Sequence, residues 1–413
     1  MTSTEEPVVI VGAGHGGSSL CAMLRQVGYA GQVTVIGGEP HLPYHRPPLS
    51  KKFAGPEVRQ LIRPPEFYPD NAIDIRTGVH ATVVHRQTRE VELDDGIRLP
   101  YGHLILATGA RPRALPVEGW EADNVLTLRT LDDAHILGRT LTAGARLAVI
   151  GGGYVGMEVA AVARTRGVDV TVIEREDRIL ARVASRDLSH RLTEYHKAHG
   201  TTVMVGADVA SIDVAGGSAR GVRLHDGRVV DCDLVLVGIG AIPDDSLAVA
   251  AGISCRNGII VDRDGRTSDP QIFAIGDVAL RPLAGRTALI RLESIPNATD
   301  LAKRTTAAIV GNAAPKEEVP WFWSDQFDLK LKIAGLTEPD VEIVVRDGKT
   351  PGSFALFHVR PDHTIAAVEA ANAPAAFMAG KQLIEQGTTI AIDKLTDPAT
   401  SLRDVATERP VAV

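Results

Sequence analysis

The chain has 413 residues, more than one core of roughly 150 residues accommodates, so two or three domains are expected. With 44% hydrophobic and 23% charged residues and 40 glycines, it reads as an ordinary globular protein, neither disordered nor fibrous. A formal charge of −7 and a pI near 6.0 exclude nucleic acid as the main partner, since that role calls for a basic stripe.

The N-terminal stretch carries Glu5 and Glu6 where a secretory signal would be basic, and it runs directly into a strand. No apolar run approaches the ~18 residues of a membrane span. A cytoplasmic protein without membrane attachment is expected. Cys21, Cys232 and Cys255 are odd in number and widely spaced, which gives neither a disulfide framework nor a metal site. Three reduced, mostly buried thiols are the expectation.

The first element is VVIVGAGHGGSSL at 8–20. Val8 to Val11 is a β-branched run of the kind buried in a parallel sheet. Gly12, Gly14 and Gly17 follow as G-x-G-x-x-G, and Leu20, Met23, Leu24 and Val27 then mark one helical face. QVTVIGGE supplies the next strand, so the motif has the strand before it and the helix after it that it requires. In that setting Gly12 permits the tight turn, Gly14 the close approach of a pyrophosphate, and Gly17 the packing of helix on strand. The helix N-terminus turns free N–H groups and a partial positive charge toward the phosphates. From Pro40 through Pro69 there are eight prolines, which stiffen that loop.

HLILATGARP at 103–112 is a buried strand running into a glycine turn, and LAVIGGGYVGMEVA at 147–160 restates the opening. Here the glycines are Gly151, Gly153 and Gly156, with Val155, Val159 and Val162 on one helical face. VDVTVIE ends on Glu174, about twenty residues past the turn, where a carboxylate takes ribose hydroxyls. DLVLVGIGAIP at 233–243 then echoes HLILATGARP. One glycine motif is weak evidence, but two in matching context predict two nested Rossmann-like dinucleotide-binding modules in an α/β protein. From PWFWSDQFDLKLKIAGL onward the texture changes. DLKLKIA alternates as a half-exposed strand, EIVVRD, SFALFHV and TIAAVEAAN follow as strands, and AFMAGKQLIEQG is helical, together an α+β C-terminal domain.

In order and spacing, VVIVGAGHGG, YHRPPLSK, LILATGARPR, LRTLDDA, VIGGGYVGMEVA, LVLVGIG, IFAIGDVA, LESIPNA and PWFWSDQ carry a resemblance over essentially the whole chain. They resemble the FAD-dependent pyridine nucleotide reductases of glutathione-reductase-like fold. Within these, the chain is most similar to the ferredoxin reductases of bacterial oxygenase systems, of the putidaredoxin reductase and biphenyl dioxygenase ferredoxin reductase type.

The resemblance implies FAD in the first module and a nicotinamide cofactor in the second. FAD binding would use residues 1–113 and 245–318, NADH binding 114–244, and 319–413 would form the C-terminal domain. Gly12, Gly14, Gly16 and Gly17 would surround the FAD phosphates, with Arg46 and Lys51 against the flavin and Ala107, Thr108 and Gly109 near it. Asp277 would accept from the ribityl chain, Arg129 would help fix the cofactor, and Trp323 would pack by the flavin. Ala81, Val278, Glu293, Ser294 and Ile295 are further implied cofactor positions, the helix after Ser294 pointing its positive end at the flavin pyrimidine. Relatives commonly carry aspartate where this chain has Gly38, and Glu39 is expected to serve the FAD ribose instead.

For the nicotinamide cofactor the implied positions are Gly151, Gly153, Tyr154, Val155, Glu158, Glu174, Arg182, Gly238 and Ile239. A 2′-phosphate beside Glu174 would meet a like charge, worth on the order of 4 kcal/mol at 4 Å and an effective dielectric near 20, which favours NADH. Arg175, Arg178 and Arg182 keep NADPH as the lesser alternative. Lys51 and Glu158 are the expected catalytic pair for hydride transfer from NADH to flavin N5. Two single-electron steps to a [2Fe–2S] ferredoxin serving a cytochrome P450 or a Rieske-type oxygenase would follow. Lys330, Lys332, Arg291 and Arg304 are candidates for steering that acidic partner. Monomer and homodimer both stay open.

Disulfide reductases and cysteine peroxidases need cysteine beside the flavin, yet none occurs between Cys21 and Cys232. A non-catalytic flavoprotein of apoptosis-inducing-factor type calls for a targeting segment and a basic surface. A rubredoxin reductase would differ only in its acceptor.

Overall fold

In the computed structural model, residues 5–407 are described, so residues 1–4, which open the stretch read as lacking a secretory signal, lie outside them. The chain divides into two compact units. The first comprises the chain up to Arg46, Arg59–Arg111 and Ala241–Glu318; the second comprises Pro47–Val58, Pro112–Gly240 and the chain from Val319 on.

In the first unit a five-stranded parallel sheet runs in the order Ile272–Ala274, His103–Leu106, Val8–Val11, Val33–Gly37, Ile73–Thr77. Val8 stands in register with Val33 on one side and His103 on the other. Every residue of Val8–Val11 and Val33–Gly37 is buried, as expected for strands covered on both faces. The helix His15–Gln26 packs Leu20, Cys21 and Leu24 into this core, joined by Leu301 and Ala302 of the helix Ile295–Val310. Val27, read as part of the buried stripe, is 49% exposed because it already caps the helix C-terminus. A three-stranded antiparallel sheet (Ala81–His85, Glu90–Leu93, Arg98–Pro100) connects the Ile73–Thr77 strand back to His103–Leu106.

The second unit repeats this plan. Its parallel sheet runs Thr202–Met204, Asp169–Ile173, Arg146–Ile150, Leu234–Val237, Val125–Leu126, with the antiparallel trio Val209–Ala215, Ser218–Leu224 and Val229–Asp231 as the connection. In each sheet the chain leaves the first strand to one side and returns to its other side. The crevice where that order reverses, beyond the strand carboxyl ends, is where such sheets bind ligands.

The same unit carries a five-stranded antiparallel sheet in the order Trp321–Gln326, Leu329–Gly335, Ile365–Ala371, Phe354–Val359, Glu342–Asp347. The helix Pro374–Gln386 covers one face, so closely at Gly380 that a Cβ there would lie 2.7 Å from Val368 Cγ1. The opposite face presents Ser324, Gln326, His358 and Glu369, all buried. Period-2 alternation separates these polar residues from the apolar set on the helix side.

Candidate functional site

The two glycine turns have the same construction. Gly12 has φ +109°, and a Cβ there would sit 2.3 Å from the Ala107 carbonyl oxygen; Gly151 has φ +105°, with Gly238 O at 2.5 Å. A Cβ on Gly17 would strike Gly12 O at 2.2 Å, and one on Gly156 would strike Gly151 O at 2.5 Å. The middle glycines differ: nothing lies within 4 Å of a Cβ on Gly14, and only Gly238 O at 3.9 Å approaches one on Gly153. The outer glycines are thus required by the protein's own packing, whereas the middle pair borders open space.

Gly14 and Gly153 are also the N-caps of their helices, with no side-chain cap and no acidic residue in the first turn. Other helices cap themselves, through the Thr130–Asp133 box, Ser185 and Ser294. Two helix starts that no side chain caps, each beside open backbone, fit the pyrophosphates of two dinucleotides.

In the first unit Glu39 accepts from Tyr44 Oη at 2.5 Å and pairs with Arg46 Nη2 at 2.7 Å. The space an aspartate would need at position 38 is filled by the His80 ring, whose Nε2 would lie 2.6 Å from a Cβ on Gly38. Ala107, Thr108 and Gly109 follow the His103–Leu106 strand, and the Thr108 hydroxyl donates to Asp244 O at 2.6 Å. Asp277 and Val278 lie in a single 3-10 turn, and Arg291 donates to Asp277 O at 3.1 Å while pairing with Glu293 at 2.5 Å. Ser294 accepts from Asn297 N–H as the N-cap of the following helix, whose first residue is Ile295. Ala81 opens the strand Ala81–His85, and Gly16 packs on Ile275.

In the second unit Lys51 Nζ lies 2.8 Å from Glu158 Oε1, with side-chain exposures of 15% and 5%. Glu158 is therefore not a solvent-facing helix residue. Glu174 Oε2 accepts from Gly152 N–H at 2.7 Å and Oε1 from Glu176 N–H at 2.8 Å. The Arg182 guanidinium lies 3.4 Å from the Cβ position of Gly240, in the turn containing Gly238 and Ile239. Arg178 instead binds Ala181 O, Ala184 O and Ser189 Oγ, so its role is structural, and Arg175 pairs with Glu176. Tyr154 is half-buried with its hydroxyl enclosed, and desolvation together with the carboxylates of Glu369 and Glu158 pushes its phenol well up. Val155 is 46% exposed, not on the buried face with Val159. The Arg129 amide donates to Asp133 Oδ2, and Trp323 lies tilted beside Trp321 on the helix-facing side of the C-terminal sheet.

Two features had no spacing signal. Ser50, Ser324, Gln326 and His196 gather around Glu158, although only the motif strings PLSK and WSDQ contain the first three. Asp300 holds Arg281 at 2.8 Å and Arg304 at 3.4 Å in a buried cluster. Arg304 at 5% exposure and Arg291 at 12% consequently cannot steer a partner, a correction of the sequence-based expectation. Lys330 is 64% exposed beside Asp325, and Lys332 lies over the Phe377 ring. The three cysteines are free thiols; burial pushes Cys21 up to about 12 and Cys232 and Cys255 up to about 11.

Two dinucleotide cradles of the same construction fit a two-cofactor oxidoreductase. Residues 6–302 match the family described as pyridine nucleotide-disulphide oxidoreductase, and residues 321–406 match the reductase C-terminal family. The chain is 40% identical to a ferredoxin–NAD(P)(+) reductase of a Sphingomonas species, covering 99% of this chain and 100% of the relative. It is 36% identical to putidaredoxin reductase of Pseudomonas putida, covering 98% and 97%. The crystal structure of the covalent putidaredoxin reductase–putidaredoxin complex matches with a TM-score of 0.93 at 36% identity, covering 97% of this chain and 98% of that one. The chain belongs to the pyridine nucleotide-disulphide oxidoreductase family and is an enzyme that uses FAD and NAD(P)H. Among the described residues no helix is long and apolar enough to cross a membrane.

Proposed function

We propose that the chain is a cytoplasmic NADH-dependent reductase, monomeric or homodimeric, that passes electrons through FAD to a [2Fe–2S] ferredoxin serving a cytochrome P450 or a Rieske-type oxygenase. The relatives named for ferredoxin and putidaredoxin, similar over nearly the whole chain, support that acceptor. The observation that carries the reading is the state of the thiols. All three are free, with Cys21 and Cys232 packed into different hydrophobic cores rather than paired as a dithiol, which supports an external electron acceptor.

Bound flavin supplies the conversion of a two-electron hydride into single electrons; positioning is left to the protein. Residues 1–113 and 245–318 hold FAD, 114–244 hold NADH, and 319–413 form the C-terminal domain. Gly14 and Gly153 admit the pyrophosphates, and Glu174 takes the ribose hydroxyls of NADH. With Arg178 committed to carbonyls, a 2′-phosphate would meet Glu174 with fewer compensating cations than the sequence offers. Lys51 and Glu158 serve the hydride-transfer step as a charged pair that stays paired on burial.

Anaerobic stopped-flow mixing with NADH, followed by a [2Fe–2S] ferredoxin, tests this directly. Rapid bleaching of the flavin band and onward transfer are expected. Transfer only to rubredoxin would replace the acceptor, and no bleaching with either nicotinamide cofactor would favour a non-catalytic flavoprotein.

A further inference from the structure

The polar side chains around Glu158 form a hydrogen-bond chain with a single direction. Ser50 Oγ is 2.5 Å from Glu158 Oε2, Ser324 Oγ is 2.6 Å from Oε1, and Lys51 Nζ is 2.8 Å from the same oxygen. Gln326 Nε2 is 3.1 Å from Ser324 Oγ, and Gln326 Oε1 is 2.9 Å from His196 Nε2. A carboxylate only accepts, so the single Ser324 proton goes to Glu158. Gln326 must then donate to Ser324 through its NH2, which turns its carbonyl to His196 and makes His196 Nε2–H the first donor. His196 Nδ1 has no partner, as a neutral imidazole with its proton on Nε2 allows. Burial pushes His196 down to about 4, so it is neutral at physiological pH.

These groups come from separate elements: the helices Pro48–Lys51, Tyr154–Thr165 and Arg186–Ala198, and the strand Trp321–Gln326. Glu158, His196, Ser324 and Gln326 are each at most 3% exposed. The strand's register is pinned just beyond the chain. Phe327 adopts φ 55° and stacks on His199 with centroids 4.2 Å apart, while the Tyr195 hydroxyl donates to Asp328. A non-glycine residue in the left-handed region persists only where its surroundings hold it, and here three aromatic rings at the C-terminal end of one helix do so.

We propose that Ser324, oriented by Gln326 and His196, is a positioning residue that fixes the Glu158 carboxylate, and through it the Lys51 ammonium, for hydride transfer. This rests on the reading that the Lys51–Glu158 pair serves that step. Donors from Ser50, Lys51 and Ser324 orient both carboxylate oxygens, so the C-terminal sheet contributes to the geometry of the pair.

The test is single-turnover flavin reduction by NADH, under anaerobic conditions, in the wild type, Ser324→Ala, Gln326→Leu, Glu158→Gln and the Ser324→Ala/Glu158→Gln double variant, each first shown to retain FAD. Ser324→Ala is expected to lower the limiting rate about tenfold, as loss of a hydrogen bond to a charged group does, with NADH Kd within about twofold. Gln326→Leu should lose about threefold. The double variant should be no slower than Glu158→Gln, because Ser324 acts through Glu158. A wild-type rate in Ser324→Ala, a loss confined to Kd, or multiplied losses in the double variant would overturn the inference. A Glu158→Gln protein reducing its flavin at the wild-type rate would instead overturn the reading of the catalytic pair.

Discussion

Glu174 uses one acceptor site on each carboxylate oxygen for the backbone, Oε2 for Gly152 and Oε1 for Glu176. Each oxygen keeps a second lone pair, enough for the paired hydroxyls of a ribose. Glu174→Ala should therefore raise the NADH KM and narrow the NADH-to-NADPH ratio of kcat/KM by about tenfold, the equivalent of ~1.4 kcal/mol. Steady-state kinetics with both cofactors measures it, and an unchanged ratio removes the role. The first module handles the corresponding position differently. His80 occupies the room beside Gly38, so the carboxylate moves one residue on to Glu39, where Tyr44 and Arg46 hold it. The departure was visible in VIGGE, but its cause was not, because His80 is remote in sequence and adjacent only in space.

At the scale of the element, the glycine-turn helices separate packing from binding. Gly14→Ala meets no atom within 4 Å and has an ordinary φ of −76°, so the apoprotein should melt within about 1 °C of the wild type while its FAD Kd rises at least tenfold. Gly12→Ala forces a Cβ to 2.3 Å from Ala107 O at φ +109°, and should destabilise the apoprotein by more than about 2 kcal/mol. Thermal melting of apoprotein together with FAD titration distinguishes the two. Equal effects on both readouts would dissolve the distinction between the outer and middle glycines. This much was legible in sequence, since the motif is local: turn, strand and helix lie within some twenty residues. The Val155 error was also local, because helical periodicity does not reveal which end of a face the tertiary structure covers.

Across the whole molecule, three histidines shielded from water, His196 most of all, contribute to the acid response. Burial lowers His196 from 6.5 to about 4, and lowers His103 and His45 in the same direction. The unfolded chain then binds more protons than the folded one between those pH values. Stability is therefore fully present above about pH 6.5 and falls as pH drops toward 4, by about 3 kcal/mol for His196 alone. Melting temperature should decline between pH 6.5 and 4.5, and His196→Gln, which retains a donor for Gln326, should flatten part of that decline. A slope identical to the wild type would show that His196 is not buried in its neutral form.

The amino-acid sequence by itself determined the two glycine turns, the nested α/β plan, the α+β end of the chain and the Lys51–Glu158 pairing, the last through its resemblance to a known family. Each of those rests on a short window of periodicity or on an ordered series of motifs. Only the tertiary structure decided that Glu158 is buried, that Ser324, Gln326 and His196 orient it, and that Arg304 is sealed beneath Asp300 rather than facing a partner. Those outcomes depend on contacts between residues more than a hundred positions apart, or on which side of a helix is covered, and no local pattern encodes them.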